Sequence, residues 1–340
     1  MFHHILVPLD GSSRAEQALP VAARLARSSG GTVVLLRVVS PSSEFELYPT
    51  SDPLTRQTIN DANHLQARNY FERITNISSL KDVRTETTII AGWPANTILS
   101  VVDTHHIDLI ILCSHGYTGM KRWVLGSVAE KVAHHAPVPV LVLREGGPTL
   151  VGTPPHAEGP LRALIPLDGS ARAKAAIVPA ALLIAALSAP GPGALHFTRI
   201  VVLPDAEQIS QSERDAIMHK AKQYLSATVE HIREGLVASP VADLKLATTW
   251  SVTIDDDIAS GIIRVAEDGE DMEGTGVCDG SDLIAMVTHG YGGLQRWARV
   301  SIVERVLCAT RLPLLIVRPS DMLDKGHQTQ DKTAITGVRR

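Results

Sequence analysis

The sequence predicts an α/β protein built from two similar halves, each a parallel sheet flanked by helices. The chain has 340 residues, more than one domain of ordinary size usually contains. Short apolar runs rich in β-branched residues alternate with segments of helical periodicity, as in parallel sheets that are buried on both faces. The segment LVPLDGS at residues 6–12 recurs as LIPLDGS at 164–170, so the chain contains an internal duplication.

Strands and helices are predicted to alternate through the first half. Residues 5–9 form an apolar run that ends at Asp10-Gly11-Ser12, which indicates a buried strand opening on to a loop. A helix with an apolar face follows, and Gly30 and Gly31 end it. The remaining predicted strands are 33–39, 87–91, 109–112 and 138–143; the remaining predicted helices are 54–77, 94–104 and 126–135, with a surface loop at 41–53.

The second half repeats this order after a segment rich in glycine and proline. Its predicted strands are 163–167, 195–203, 244–250, 283–287 and 312–317. The acidic, glycine-rich stretch 267–282 is predicted to be an exposed loop that holds part of the extra length of this half. The predicted domains are 1–145 and 161–319, joined by a linker at 146–160 and followed by a disordered tail at 320–340.

Composition excludes several classes of protein. The formal net charge of −4 argues against a large basic surface for nucleic acid. Cys113, Cys278 and Cys308 have no paired spacing, which favours a reducing compartment. The N-terminus lacks a secretory pattern, and the longest apolar segment is too short to cross a bilayer. We therefore expect a cytoplasmic protein without nucleic-acid or membrane partners.

The segment CSHGYTGMKRWVLGS at residues 113–127 indicates a strand, a glycine-rich loop and the start of a helix. Backbone N–H groups and the positive end of the helix dipole meet at such a junction, where an anion such as phosphate fits. Asp10 also follows a strand. In parallel sheets, ligands bind beyond the carboxyl ends of the strands where the strand order reverses. Asp10 and this loop therefore share a crevice if strands one and four are neighbours.

With these features the chain resembles a tandem universal stress protein. The resemblance rests on the two strand-plus-acid openings, Gly-Trp-Pro at 92–94, the loop pattern Gly-x2-Gly-x9-Gly-Ser/Thr, and a last strand that contains proline. It covers nearly all of the chain except the linker and the tail. It implies a five-stranded parallel sheet of order 3-2-1-4-5 in each half, and pairing of the two last strands as an intramolecular pseudo-dimer. It also allows a further homodimer, and in one subgroup it implies bound ATP.

The resemblance also implies which residues contact ATP in the first half. Asp10 accepts hydrogen bonds from the ribose or the adenine edge, although it is also suited to cap a helix. Cys113 stands where the family has its first glycine and adds bulk beside the triphosphate path. Magnesium enters only as the counter-ion of ATP. The other implied contacts are Pro8, Val38 and Leu112 to base and sugar, and Gly116, Gly126, Ser127 and Val128 to phosphates; each is also an ordinary core, turn or cap residue.

The second crevice is predicted to be degenerate. The matching segment, VTHGYGGLQRWARVS at 287–301, has Val287 and Val300 in place of the first and last glycines. Valine does not readily adopt a positive φ, and its side chain blocks close approach to the backbone. The residues left for a weaker second site are Pro166, Asp168, Gly290 and Ser301.

The leading functional hypothesis is a cytoplasmic stress-response protein that binds an adenine nucleotide, with ATP favoured, in its first half. The second half then serves as a built-in dimer partner. AMP or cyclic AMP as the ligand, and a nucleotide-free interaction scaffold, are the alternatives. No nucleophile with an adjacent base is recognisable, so we expect no enzyme beyond slow, incidental ATP hydrolysis. The histidine doublets at 3–4, 105–106 and 134–135 lack ligand spacing, so no metal site is predicted.

Overall fold

The computed structural model describes residues 1–40, 53–114, 126–152, 159–203, 210–236, 239–272, 276–278, 280–288 and 301–319. The strands of the first half are β1 (His4–Pro8), β2 (Thr32–Val39), β3 (Arg84–Ala91), β4 (Leu109–Ser114) and β5 (Val140–Arg144). Those of the second half are β6 (Leu161–Pro166), β7 (Gly193–Val201), β8 (Ala247–Ile254), β9 (Glu270–Met272), β10 (Gly276–Cys278), β11 (Leu283–Val287) and β12 (Leu314–Val317). The helices are α1 (Ser13–Glu16), α2 (Ala18–Ser29), α3 (Pro53–Thr75), α4 (Pro94–Thr104), α5 (Ser127–His135), α6 (Ile177–Ser188), α7 (Gln211–Arg233), α8 (Ser239–Ala242), α9 (Ile258–Asp268) and α10 (Ile302–Ala309).

Ten of the described strands form one continuous sheet in the order β3-β2-β1-β4-β5-β12-β11-β6-β7-β8. Within each half the strands pair in parallel and follow the order 3-2-1-4-5, which confirms the predicted fold class. The halves meet where β5 and β12 pair antiparallel, with Leu141 opposite Leu315. The predicted pairing of the two last strands therefore occurs within the chain and removes two exposed sheet edges.

The sheet is covered on both faces because successive strand residues point in opposite directions. On β1, Ile5 enters one apolar cluster and Leu6 enters the other, and both are fully buried. We name the first side the α2 face, since α2, α3, α6 and α7 pack there. We name the second side the α5 face, since α4, α5, α9 and α10 pack there. Each cluster draws residues from both halves, so the core is continuous across the β5–β12 junction.

The prediction of an exposed loop over 267–282 is wrong. Strands β9 and β10 within this stretch pair as an antiparallel hairpin. The carboxylate of Glu270 accepts hydrogen bonds from the hydroxyl groups of Ser251 and Thr253 on β8. These hydrogen bonds fasten the start of the hairpin to the edge strand, and acidic composition alone did not reveal them.

Some predictions fall on residues that the structure does not describe. These are residues 41–52 of the predicted surface loop, the whole of the predicted tail at 320–340, and most of the glycine-rich loop at 115–125. In the described part of the chain, no helix has both the length and the apolarity to cross a membrane.

Candidate functional site

The strand order reverses between β1 and β4. Strand β1 pairs with β2 on one side, where Pro8 lies opposite Leu36, and with β4 on the other, where Leu6 lies opposite Ile110. The helices that follow these two strands, α2 and α5, pack on opposite faces of the sheet, which opens a crevice at this edge. The condition for Asp10 and the segment after β4 to share one crevice is therefore met.

Asp10 lies just beyond β1 and orients the turn that follows. Its Oδ1 accepts hydrogen bonds from the backbone N–H of Ser12 at 2.9 Å and from the Ser12 hydroxyl at 2.6 Å. Ser12 Oγ in turn accepts a hydrogen bond from Ala15 N at 3.2 Å and caps α1. The helix cap is therefore Ser12, whereas Asp10 supports it; the sequence alternative that made Asp10 itself the cap is wrong. Within the described part of the chain both hydrogen bonds to this carboxylate end on Oδ1, which leaves Oδ2 to accept hydrogen bonds from a ligand.

The carboxyl of Asp10 is ionised at neutral pH. Partial burial acts to raise its pKa, but the two hydrogen bonds from Ser12 and the nearby Arg37 guanidinium outweigh burial and lower it. Gly11 has φ +88°, and a Cβ added there would lie 2.9 Å from Arg37 Nη1. The positive φ favours glycine at this turn, and a larger residue would also displace the end of the Arg37 side chain.

Arg37 was missed by the sequence reasoning, although it is the single charged residue of the apolar strand β2. Its Nη1 donates a hydrogen bond to the Leu9 carbonyl at 3.4 Å, and its guanidinium lies 5.6 Å from the centre of the Tyr70 ring. The second half repeats this arrangement with Arg199 5.5 Å from the ring of Tyr224. The sequence did contain a signal for this residue, namely a cation inside an otherwise apolar strand. A charged group in such a position needs a specific partner, which marks Arg37 as a candidate for a defined role.

The apolar residues predicted to contact base and sugar share the α5 face. Leu112 is part of the cluster on that face, and Val38 packs against it. Pro8 ends β1 two residues after Leu6, so strand alternation places it on the same side. Leu112 is only 6% exposed, so its main role is in the core. Pro8 and Val38 are half-buried at the strand ends and remain accessible to a ligand.

The start of α5 completes the crevice on this face. Gly126 is the residue before the first turn, and Ser127 and Val128 are exposed. The first N–H groups of a helix have no partner within it and attract anions. Gly126 has φ −61°, which any residue adopts, so a positive φ is not what would exclude valine at the matching position of the second half. Gly116 lies outside the described residues.

Cys113 does not point into this crevice. Strand β4 continues past residue 112, and Cys113 pairs in it with Leu143. The thiol packs on the α2 face and lies 3.8 Å from Gln17 Oε1. Burial and then the charge of Glu145 raise its pKa to about 11, so the thiol is neutral at physiological pH. Its side chain lies on the opposite face from Val38. The expected effect of its bulk on the triphosphate path stays a prediction, since residues 115–125 lie outside the described part of the chain.

The second half keeps part of the same geometry. Pro166 ends β6, and Asp168 Oδ1 accepts a hydrogen bond from Ser170 N at 2.8 Å. Ser301 precedes the first turn of α10 with φ −58°. Gly290 lies outside the described residues. Among the residues that the structure describes, no group of three His, Cys, Asp or Glu side chains is arranged to hold a metal ion.

Comparison with known proteins identifies the family. The universal stress protein family matches residues 1–144. A universal stress protein of Bacillus subtilis (strain 168) is 30% identical over 149 residues, which cover 42% of this chain and 100% of that protein. The chain belongs to the universal stress protein family. A second universal stress protein, from Methanocaldococcus jannaschii, is 28% identical over 145 residues, which cover 43% of this chain and 84% of that one.

The likeness to a solved universal stress protein extends beyond the first half. The crystal structure of the protein from Archaeoglobus fulgidus DSM 4304 aligns with 93% of this chain and 98% of its own, with a TM-score of 0.61 and 17% identity. At this identity the comparison shows that the two share a fold over nearly the whole chain.

Proposed function

We propose that this universal stress protein binds one adenine nucleotide, with ATP favoured, in the crevice between β1 and β4 of its first half. The observation that carries the proposal is the arrangement around that crevice. The ionised Asp10 lies in the crevice just beyond β1. Accessible apolar side chains line the crevice on the α5 face, and the exposed first turn of α5 borders the crevice. A nucleotide offers one matching group for each of these features: the ribose hydroxyl groups, the flat apolar base and the phosphates.

Each part of the crevice suits one part of the ligand. Oδ2 of Asp10 accepts a hydrogen bond from a ribose hydroxyl, since its other oxygen is committed to Ser12. Pro8 and Val38 offer apolar contact to the base. The N–H groups of Ser127 and Val128 donate to phosphate oxygens at the positive end of α5. Magnesium accompanies ATP from solution as its counter-ion.

We further propose that the protein binds the nucleotide without turning it over as its function and acts in the cytoplasm. The carboxylate of Asp10 holds a turn, and the thiol of Cys113 is neutral and faces away from the crevice. Neither group is therefore placed to activate a water or attack a phosphate. The second half acts as the built-in partner that completes the sheet through the β5–β12 pairing.

Calorimetric titration of ATP, AMP and cyclic AMP against the purified protein tests the proposal. We expect saturation by ATP at one site per chain, with weaker binding of AMP and cyclic AMP. Asp10→Asn removes the negative charge while keeping one acceptor oxygen and is expected to weaken ATP binding about tenfold, the effect of losing one hydrogen bond to a charged group. Asp168→Asn, the matching change in the second half, is expected to leave ATP affinity unchanged. The proposal is wrong if none of the three nucleotides binds.

A further inference from the structure

The two crevices differ in the side chains that face each other at their edges. In the second half Asp257 caps α9, where its Oδ2 accepts a hydrogen bond from Ser260 N at 2.9 Å. The same carboxylate accepts two hydrogen bonds from Arg305 on α10, at 2.7 and 2.6 Å. The hydrogen bonds from Arg305 hold the pKa of Asp257 well below its usual range. We name this ion pair the α9–α10 clasp.

The first half has different residues at both positions of the clasp. Helices α4 and α9 each contain 11 residues, and the residues that precede them are Trp93 and Asp257. Lys131 and Arg305 each lie four residues before the last residue of α5 and α10. An indole and an ammonium therefore replace the carboxylate and guanidinium. Trp93 and Lys131 therefore occupy, at the start of α4 and in α5, the two positions that the clasp occupies in the second half.

Trp93 lies beside the part of the crevice that we assign to the base. Gly92, its neighbour, donates a backbone hydrogen bond to Val39 O at 3.0 Å, which ties this turn to the end of β2. Val38 is the preceding residue of β2 and packs on the α5 face, as α4 does. The Trp93 side chain is 59% exposed, so most of its apolar surface is not covered by the described part of the chain. A large indole is thus available where a planar ring would enter.

We propose that Trp93 is the residue against which the base of the bound nucleotide stacks, and this assignment rests on the proposed nucleotide site. Every base offers a flat π face to an aromatic side chain, so stacking adds affinity for a nucleotide but none for free phosphate. Lys131 adds positive charge near the phosphate end, one turn inside α5. In the second half Asp257 and Arg305 occupy these positions and bind each other. That half therefore offers no aromatic ring at the position of Trp93, and its cation at the position of Lys131 is held in the clasp.

Calorimetry with ATP and with inorganic triphosphate tests this assignment on three variants. Trp93→Ala is expected to weaken ATP binding about tenfold and to leave triphosphate binding unchanged. Trp93→Phe keeps a ring and is expected to retain most of the ATP affinity. Leu65→Ala is the matched control, since Leu65 is also 59% exposed but lies on α3, which packs on the α2 face. It is expected to bind ATP as the unmodified protein does.

Fluorescence distinguishes direct contact from an indirect effect. ATP is expected to quench the tryptophan emission of the unmodified protein, and Trp93→Phe is expected to lose that component of the quenching while still binding ATP. The assignment is overturned if Trp93→Ala binds ATP normally, or if it loses ATP and triphosphate affinity equally. If the unmodified protein binds triphosphate but no nucleotide, the proposed function fails, and the stacking assignment fails with it.

Discussion

Replacement of Gly126 distinguishes two roles of a glycine at the start of α5: supporting the helix structurally, and allowing phosphate to approach the backbone closely. Its backbone has φ −61° and ψ 144°, and it offers no side-chain hydrogen bond to the first turn. Serine adopts this conformation readily and adds a hydroxyl that accepts a hydrogen bond from the first turn. Serine caps a helix better than glycine by a few tenths of a kcal/mol. Gly126→Ser is therefore expected to raise the unfolding temperature by about 1 °C or less.

The same substitution is expected to weaken ATP binding. A Cβ at residue 126 separates the phosphate from the backbone N–H groups beside it. The loss of one hydrogen bond to a charged group costs about 1.5–3 kcal/mol, which corresponds to a tenfold or greater loss of affinity. Thermal unfolding and calorimetric titration of the same sample measure both effects. Normal ATP affinity in a stable Gly126→Ser variant contradicts the close approach of phosphate, and a parallel loss of stability and affinity indicates a purely structural glycine.

Three further predictions test the fold and its titrating groups. Leu315→Ala is expected to lower the unfolding free energy by about 2–5 kcal/mol, because Leu315 is fully buried at the junction of the halves. Urea unfolding of the unmodified protein is expected to show a single transition; two separate transitions would contradict a core shared by the two halves. Burial acts to raise the pKa of Glu270, but hydrogen bonds such as that from Ser251 outweigh burial and lower the pKa. The ionised carboxylate therefore stabilises the fold above about pH 4.3, and this stabilisation is lost as the pH falls through the lowered pKa. Glu270→Gln is therefore expected to reduce the acid-dependent loss of stability, and an unchanged pH profile in denaturant titrations contradicts this. Because the pKa of Cys113 is raised to about 11 and Cys308 is exposed, iodoacetamide at pH 8 is expected to alkylate Cys308 before Cys113. Equal rates at these two cysteines by mass spectrometry contradict this order.

The repeated Asp-Gly-Ser turns and the alternation of strands and helices were sufficient to predict the fold class. These features are local, and each repeat supports the interpretation of the other. The same patterns placed Asp10 at the carboxyl end of β1. They could not show that Ser12 caps the helix, since Asp10 and Ser12 are both good capping residues two positions apart.

The direction of Cys113 depended on where β4 ends. The sequence predicted that β4 stops at residue 112, which would leave Cys113 in the loop. The strand in fact continues to Ser114, so the alternation of side chains along β4 places the thiol on the α2 face. A two-residue error in where a strand ends therefore decides whether a residue belongs to a loop or has its side chain fixed on one face of the sheet. The β9–β10 hairpin and the α9–α10 clasp depend on partners distant in sequence, such as Ser251 for Glu270 and Arg305 for Asp257. Composition and periodicity do not report such pairs.

Native mass spectrometry of the intact chain in the presence of ATP tests the central claim most directly. The account predicts a single bound ATP per chain at saturation, with Asp10→Asn reducing that population and Asp168→Asn leaving it unchanged. Two bound ATP molecules per chain, or none at concentrations where the protein is folded, contradict the claim that one crevice, between β1 and β4, binds the nucleotide.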